Sequence, residues 1–189
     1  MVPILQKDSP ELRKVSAPVP LEEIPSKKIA GIISRMKEAL ESQDDGVAIA
    51  APQIGENVRI FVVSGKTLAI IANEKKTGES FEHAHKEDTI TPFPHLTFIN
   101  PEIIKQSKTT EDMEEGCLSV RYFYGKVRRA TKVMVRAHDE AGNVFTRGGS
   151  GLLAQIFQHE IDHLDGTLFI DKATDLEDMP PEHDDLVLN

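Results

Sequence analysis

A pair of histidines one helical turn apart constrains this chain more than any other feature of its 189 residues. His159 and His163 stand in Gln158-His-Glu-Ile-Asp-His163, and residues four apart on a helix lie one above the other on a single face. They can grip one ion, while Glu160, next to the first, can reach a water beside that ion without being a ligand itself. Leu152, Leu153, Ile156 and Phe157 precede the pair in a stretch apolar enough for a buried helix. Ser150 is placed to cap its start, and Gly166 to end it in a left-handed turn. The pattern predicts a central helix that carries metal ligands, and metal-assisted hydrolysis is the first reading of function. Chance also produces such pairs as solvated histidines on a helix, so the reading needs a third ligand.

Cys117 is the candidate. It is the only cysteine and sits in Glu115-Gly-Cys-Leu-Ser119, where Gly116 permits a close backbone approach. A thiolate and two imidazoles leave a fourth position open, the arrangement a catalytic site needs. A lone cysteine is otherwise most often a small buried hydrophobe. Downstream of His163 the chain offers Asp171, Asp175, Glu177 and His183, none in a recognisable ligand motif. That weakens the competing reading, a zincin-type peptidase with its third ligand after the helix.

Length and composition set the frame for this site. The chain suits one domain with a proper core, and 39% apolar against 28% charged residues is the balance of an ordinary soluble protein. No apolar run reaches the roughly eighteen residues of a membrane span. Met1 to Lys14 has no secretory or transit character, so the cytoplasm is the expected location, and a single cysteine suits a reducing compartment. The net charge of −9 is uneven: Asp175, Glu177, Asp178, Glu182, Asp184 and Asp185 crowd the end without a Lys or Arg. Residues 1–173 are therefore expected as one metallohydrolase domain, and 174–189 as a disordered acidic tail. Direct DNA binding is not expected of so acidic a chain.

The elements between are partly legible. Residues 1–25 are proline-rich and read as an extended surface segment. Ile29, Ile32, Ile33, Met36 and Leu40 recur at helical spacing, with Ser26 as cap. Val58–Val63 reads as a strand, 64–95 as an insertion loop or hairpin, and Leu96–Asn100 as a strand stopped by Pro101. Thr131–Ala137 and Asn143–Arg147 form a hairpin. This order predicts an α+β fold with mixed or antiparallel sheets packed around the C-terminal helix.

Three motifs in order, Gly46-Val-Ala-Ile-Ala-Ala-Pro-Gln53, Glu115-Gly-Cys-Leu-Ser119 and Gln158-His-Glu-Ile-Asp-His163, make the chain resemble the peptide deformylases. The resemblance extends over residues 2–172 and includes Asp8-Ser-Pro-Glu-Leu-Arg13 and Arg129. It implies one divalent ion, Fe²⁺ first, with Zn²⁺ or Ni²⁺ possible, on Cys117, His159 and His163. It implies removal of the N-formyl group from the initiator methionine of nascent peptides, by attack of a water activated at the ion. Glu160 would be general acid and base, and Gln53 with the Leu118 backbone N–H would steady the oxyanion. It favours Arg129 as the partner of Glu115.

The methionine pocket follows from the helix face. Leu152 and Ile156 share it with His159, Val47 and Met113 are placed to close the other side, and Gln155 either polarises the pocket or faces solvent. A substrate backbone would pair at Ala48 like an added strand, and Gly46, Glu115, Gly116 and Leu118 are further substrate-binding candidates. The chain departs from the family at Ala48, which replaces a glycine, and at Arg121, which replaces a proline before Tyr122-Phe-Tyr124. These departures would support a metal-binding homologue without turnover. Arg121, Lys126, Arg128, Arg129, Lys132 and Arg136 read as an exposed strand face, or as a transient contact with the ribosome. His83-Ala-His85 reads as solvated loop.

Overall fold

The computed structural model describes residues 2–77 and 93–180. Helix α1 (Lys27–Glu41) forms where the apolar spacing predicts it, and the Ser26 side chain accepts from the Ile29 N–H at its start. It lies on one face of a five-stranded antiparallel sheet built from β1 (Ala48–Ala50), β2 (Ile60–Val63), β3 (Leu96–Gln106), β6 (Lys132–His138) and β7 (Val144–Ser150), in that spatial order. Alternation along the strands sends Ile49, Ile60, Val62 and Ile99 toward α1. Their neighbours Ala50, Phe61, Val63 and Phe98 point the other way, into a cluster with Phe157 of α3 (Leu152–Leu164). The Phe61 and Phe98 rings stack at 4.4 Å, and Phe157 meets Phe98 edge-on at 5.1 Å. All three are fully buried, and each such side chain contributes roughly 1.5–3 kcal/mol by leaving water.

Helix α3 is central. It packs against β1, β2, β6 and β7, and against β5 (Phe123–Ala130) of a second antiparallel sheet, ordered β4 (Thr110–Glu115), β5, β8 (Thr174–Asp178). The α+β class and the central helix are thus as expected. Gln158 fastens that helix to the strand: the Ala130 N–H donates to its Oε1 at 2.9 Å, and its Nε2 donates to the carbonyls of Ala130 and Ala154.

Several expectations need correction. Residues 64–77 are not loop or hairpin: α2 (Gly65–Thr77) starts there and buries Ala69, Ile70 and Ile71. Pro101 does not stop β3, because Asn100 takes φ of 51° and the register shifts between Ile99 and Glu102. That bulge accommodates the missing N–H, and Asn100 is held there by bonds to both the N–H and the carbonyl of Val19. Ser150 ends β7 and Gly151, at φ 55°, is the N-cap of α3. Gly166 does take the left-handed conformation, at φ 72°. The acidic end is not disordered from residue 174, since β8 pairs with β5 through Tyr124↔Glu177 and Phe123↔Asp178. His83 and His85 lie outside the described residues.

Candidate metal centre

Cys117 leaves the end of β4 and folds back over α3. Its Sγ lies 3.2 Å from His163 Nε2, and the ligand atoms of Cys117, His159 and His163 fall within 4.8 Å of one another. The two rings stand one turn apart on α3 with centroids separated by 5.0 Å. Burial pushes the Cys117 thiol up, but the imidazoles of His163 and His159 outweigh it and bring it down to about 5. Burial also pushes His159 down, and its bonds to Cys117 and Glu115 reverse that, raising it well above its ordinary 6.5. One sulfur and two imidazole nitrogens, buried or half-buried and converging on one point, make a donor set that fits a divalent cation.

The ligands are braced from behind. His159 Nδ1 donates to Glu115 Oε2 at 2.9 Å, leaving Nε2 for an ion. Arg129 grips both Glu115 oxygens, at 2.7 and 2.9 Å, and its remaining Nη1 donates to Asp162 at 2.6 Å. Asp162, the residue before His163, also accepts from Lys172 at 2.7 Å. Burial pushes Glu115 up, yet Arg129 and His159 hold it at about 2. Glu115 is therefore committed to the brace, with both oxygens occupied.

Gln53 arrives on the short turn Ala51–Ile54, which ends at Gly55 in the left-handed region, φ 80°. The Ala50 N–H donates to its Oε1 at 2.8 Å, which fixes the amide so that Nε2 donates to Ser119 Oγ at 3.0 Å and lies 3.7 Å from Cys117 Sγ. Ser119 was not singled out in advance; its N–H also lies 3.4 Å from the sulfur, and its place two residues after the cysteine is the available signal. Glu160 is 5% exposed, and its Oε2 has no protein partner. Burial raises it to about 7 against the pull of His159 and His163.

A cleft of about 300 Å³ opens over these groups. Ala48 lines it from edge strand β1 and Val47 from just before that strand, Gly116 and Leu118 from the cysteine loop, and Leu152 and Ile156 from α3. Ala48 is buried in the same cluster as Ile156, so its methyl packs inward. Gly46 is not in the wall: a side chain there would meet the Leu40 carbonyl at 2.8 Å, so its glycine is structural. Glu114 lines the cleft in place of Met113. Gln155 lines it too, but its amide is tied to the Glu114 carbonyl at 2.6 Å. Most of the basic stretch is locally paired: Arg121 with Asp45, Lys126 with Asp175, Arg128 with Asp112, and Arg136 with Glu102.

The profile of the family described as polypeptide deformylase matches residues 1–179. The chain belongs to the polypeptide deformylase family. A peptide deformylase of Halothermothrix orenii is 40% identical, covering 91% of this chain and 95% of that protein. Peptide deformylase 2 of Clostridium acetobutylicum is 39% identical over 87% of this chain and 89% of its own length. The chloroplastic peptide deformylase 1A of Solanum lycopersicum is 38% identical, and this chain covers 91% of itself but only 59% of that longer relative. Among deformylase structures, the class I type b enzyme of Acinetobacter baumannii with Met-Ala-Ser bound has a TM-score of 0.74 at 28% identity, covering 90% of this chain and 97% of that one. The family is metal-dependent, which agrees with the donor set. No helix among the described residues is long and apolar enough to cross a membrane.

Proposed function

We propose that this chain is a peptide deformylase that removes the N-formyl group from the initiator methionine of nascent polypeptides and releases formate. One observation carries the reading: Cys117, His159 and His163 converge while Glu160 and the Gln53 amide face the same point. The metal ligands are those three residues, and the ion is Fe²⁺, with Zn²⁺ and Ni²⁺ suited by the same donors. Bound there, a divalent ion supplies Lewis acidity that activates water and polarises the formyl carbonyl.

The protein groups do the rest. β1 is an edge strand, so the substrate backbone can add to it beside Ala48, with the methionine side chain against Val47, Leu152 and Ile156. The A. baumannii relative was obtained with Met-Ala-Ser bound, which supports a substrate that begins with methionine. Glu160, poised near neutrality by burial, takes a proton from water as the water oxygen bonds to the formyl carbon. The same carboxyl then delivers that proton to the nitrogen as the C–N bond breaks, so formate and a free amine leave. Gln53 Nε2 and the Leu118 N–H donate to the oxygen where negative charge develops. A neutral amide serves here without neutralising Glu160.

A zincin-type peptidase is disfavoured because, among the described residues, the third ligand within reach is Cys117 and not a residue after the helix. A homologue without turnover is disfavoured by the retained Glu160 and Gln53. Ribosome contact through the basic stretch draws no support from geometry that pairs most of its cations with acids. We place the reaction in the cytoplasm, where formylated chains are made. The test is formate release from formyl-Met-Ala-Ser by anaerobic iron-loaded protein beside a zinc-loaded sample. Metal-replete protein that cuts internal peptide bonds and leaves the formyl group intact would overturn the assignment.

A further inference from the structure

The two donors assigned to the oxyanion stand on separate stretches of chain, Gln53 on the turn Ala51–Ile54 and the Leu118 N–H in the loop after Cys117. A donor works only if it already points where charge will develop, so turn and loop must be held in a fixed relation. The Gln53 amide reaches across to Ser119 Oγ at 3.0 Å. Two consecutive residues of the N-terminal segment, neither of them in the cleft lining, hold the same turn and loop from elsewhere. The Leu5 N–H donates to the Gln53 carbonyl at 2.8 Å, and Gln6 Nε2 donates to the Leu118 carbonyl at 3.1 Å.

The segment is itself seated by packing. Ile4 lies against the cluster that contains Ile54 and Leu118, and Leu5 against the one flanked by Cys117 and Phe123. Gln6 Nε2 also donates to the Ile4 carbonyl at 3.2 Å, which fixes the direction of its amide. The Leu118–Ser119 peptide is thereby held at both ends. Its oxygen accepts from Gln6, and its N–H, that of Ser119, lies 3.4 Å from Cys117 Sγ. A planar group fixed at both ends cannot turn, and Leu118, immediately before it, keeps its own N–H aimed. Gln6 is exposed while Leu118 is buried, so a substitution at residue 6 leaves the core intact.

We infer that Gln6 is a positioning residue for deformylation: it holds the Leu118–Ser119 peptide so that the Leu118 N–H stays beside the Gln53 amide. The inference rests on the deformylase reading and on the oxyanion roles given to those two groups. Gln6 acts through Leu118 and does not line the cleft. Its loss therefore leaves the wall that receives the methionine side chain, Val47, Leu152 and Ile156, as it was. An interaction strengthened only in the transition state shows in kcat with KM unchanged. The expected cost is about tenfold, the scale of an outer group that orients a working one.

The experiment compares wild type, Gln6→Met and Gln6→Arg as full chains, with formyl-Met-Ala-Ser as substrate and iron loaded anaerobically. Gln6→Met keeps the reach without a donor and is expected to lose about tenfold in kcat at unchanged KM. Gln6→Arg restores an N–H donor and should recover most of that loss. In zinc-loaded samples, hydrogen exchange followed by NMR should quicken about two- to tenfold at the Leu118 and Ser119 amides of Gln6→Met. The amides of α3 should keep their rates, which a general loosening of the fold would not allow. An unchanged kcat in Gln6→Met, unaltered exchange at both amides, equal quickening in α3, or an arginine variant as slow as the methionine one overturns the positioning role. Each of these leaves the deformylase reading intact. No formate from wild type overturns both.

Discussion

Arg129 and Glu115 form a fully buried, two-pronged ion pair directly behind His159. Their side chains are 4% and 2% exposed, and the pair's remaining capacity goes to His159 and Asp162. Removing one member leaves the other charge buried and unpaired. Arg129→Met is therefore expected to destabilise the fold by about 3–5 kcal/mol. Loosening of His159 should also weaken metal binding about ten- to a hundredfold. Denaturant unfolding and chelator competition measure the two effects, and full metal affinity in this variant would show that the brace is idle.

The same pair predicts an acid dependence in the metal-free protein. Glu115 is held at about 2 in the fold against an ordinary 4.5. A depressed carboxyl stabilises the fold fully above its unfolded value, and that contribution disappears as pH falls through the folded one. Wild type should therefore exceed Glu115→Gln by roughly 3 kcal/mol near pH 6. The difference should shrink below pH 4.5 and be lost near pH 2. A gap between the two proteins that is independent of pH would mean the substitution acts through packing alone.

What could be seen in advance divides along a physical line. The α1 spacing and the three chemical motifs are local patterns, and each survives into the structure as a helix face or a convergent side chain. Thr110–Glu115 could not be read, because a run of acids has no strand propensity; it is a strand through pairing, with Glu111 opposite Arg129 and Asp112 opposite Arg128. β8 was hidden for the same reason, its acids facing an already formed partner strand. The helix α2 was hidden by its short apolar stretch, Leu68 to Ile71, inside charged sequence. Gln155 was ambiguous because helix geometry fixes a direction but not the partner waiting there, the Glu114 carbonyl.

Gln53 supplies the third prediction. Its Oε1 is occupied by the Ala50 N–H, so the amide cannot flip and Nε2 must face Cys117 and Ser119. As an oxyanion donor its loss should cost about 10²–10³ in kcat with KM little changed. Gln53→Leu keeps the volume but leaves Ala50 unpaired, so a stability loss of about 1–3 kcal/mol should accompany it. Steady-state kinetics with thermal unfolding separates the two. Unaltered kcat would remove Gln53 from the chemistry and leave it a turn residue.

Glu160 and the choice of ion can be tested together. Glu160→Ala removes the carboxyl whose Oε2 has no protein partner, so it disturbs no hydrogen bond made by Oε2. Metal content should remain near one ion per chain while turnover falls by at least about 10²–10⁴, the usual worth of a general acid and base. In wild type, an iron-loaded sample should lose activity in air far faster than under nitrogen. Fe²⁺ and the Cys117 thiolate are both oxidisable, and the thiol is held at about 5 even without an ion. The zinc-loaded sample, whose metal has no redox chemistry, should survive longer in air. Thiol titration of the inactivated protein distinguishes loss of Cys117 from oxidation of the metal alone. Equal lifetimes of the iron form with and without oxygen would argue that iron is not the working ion.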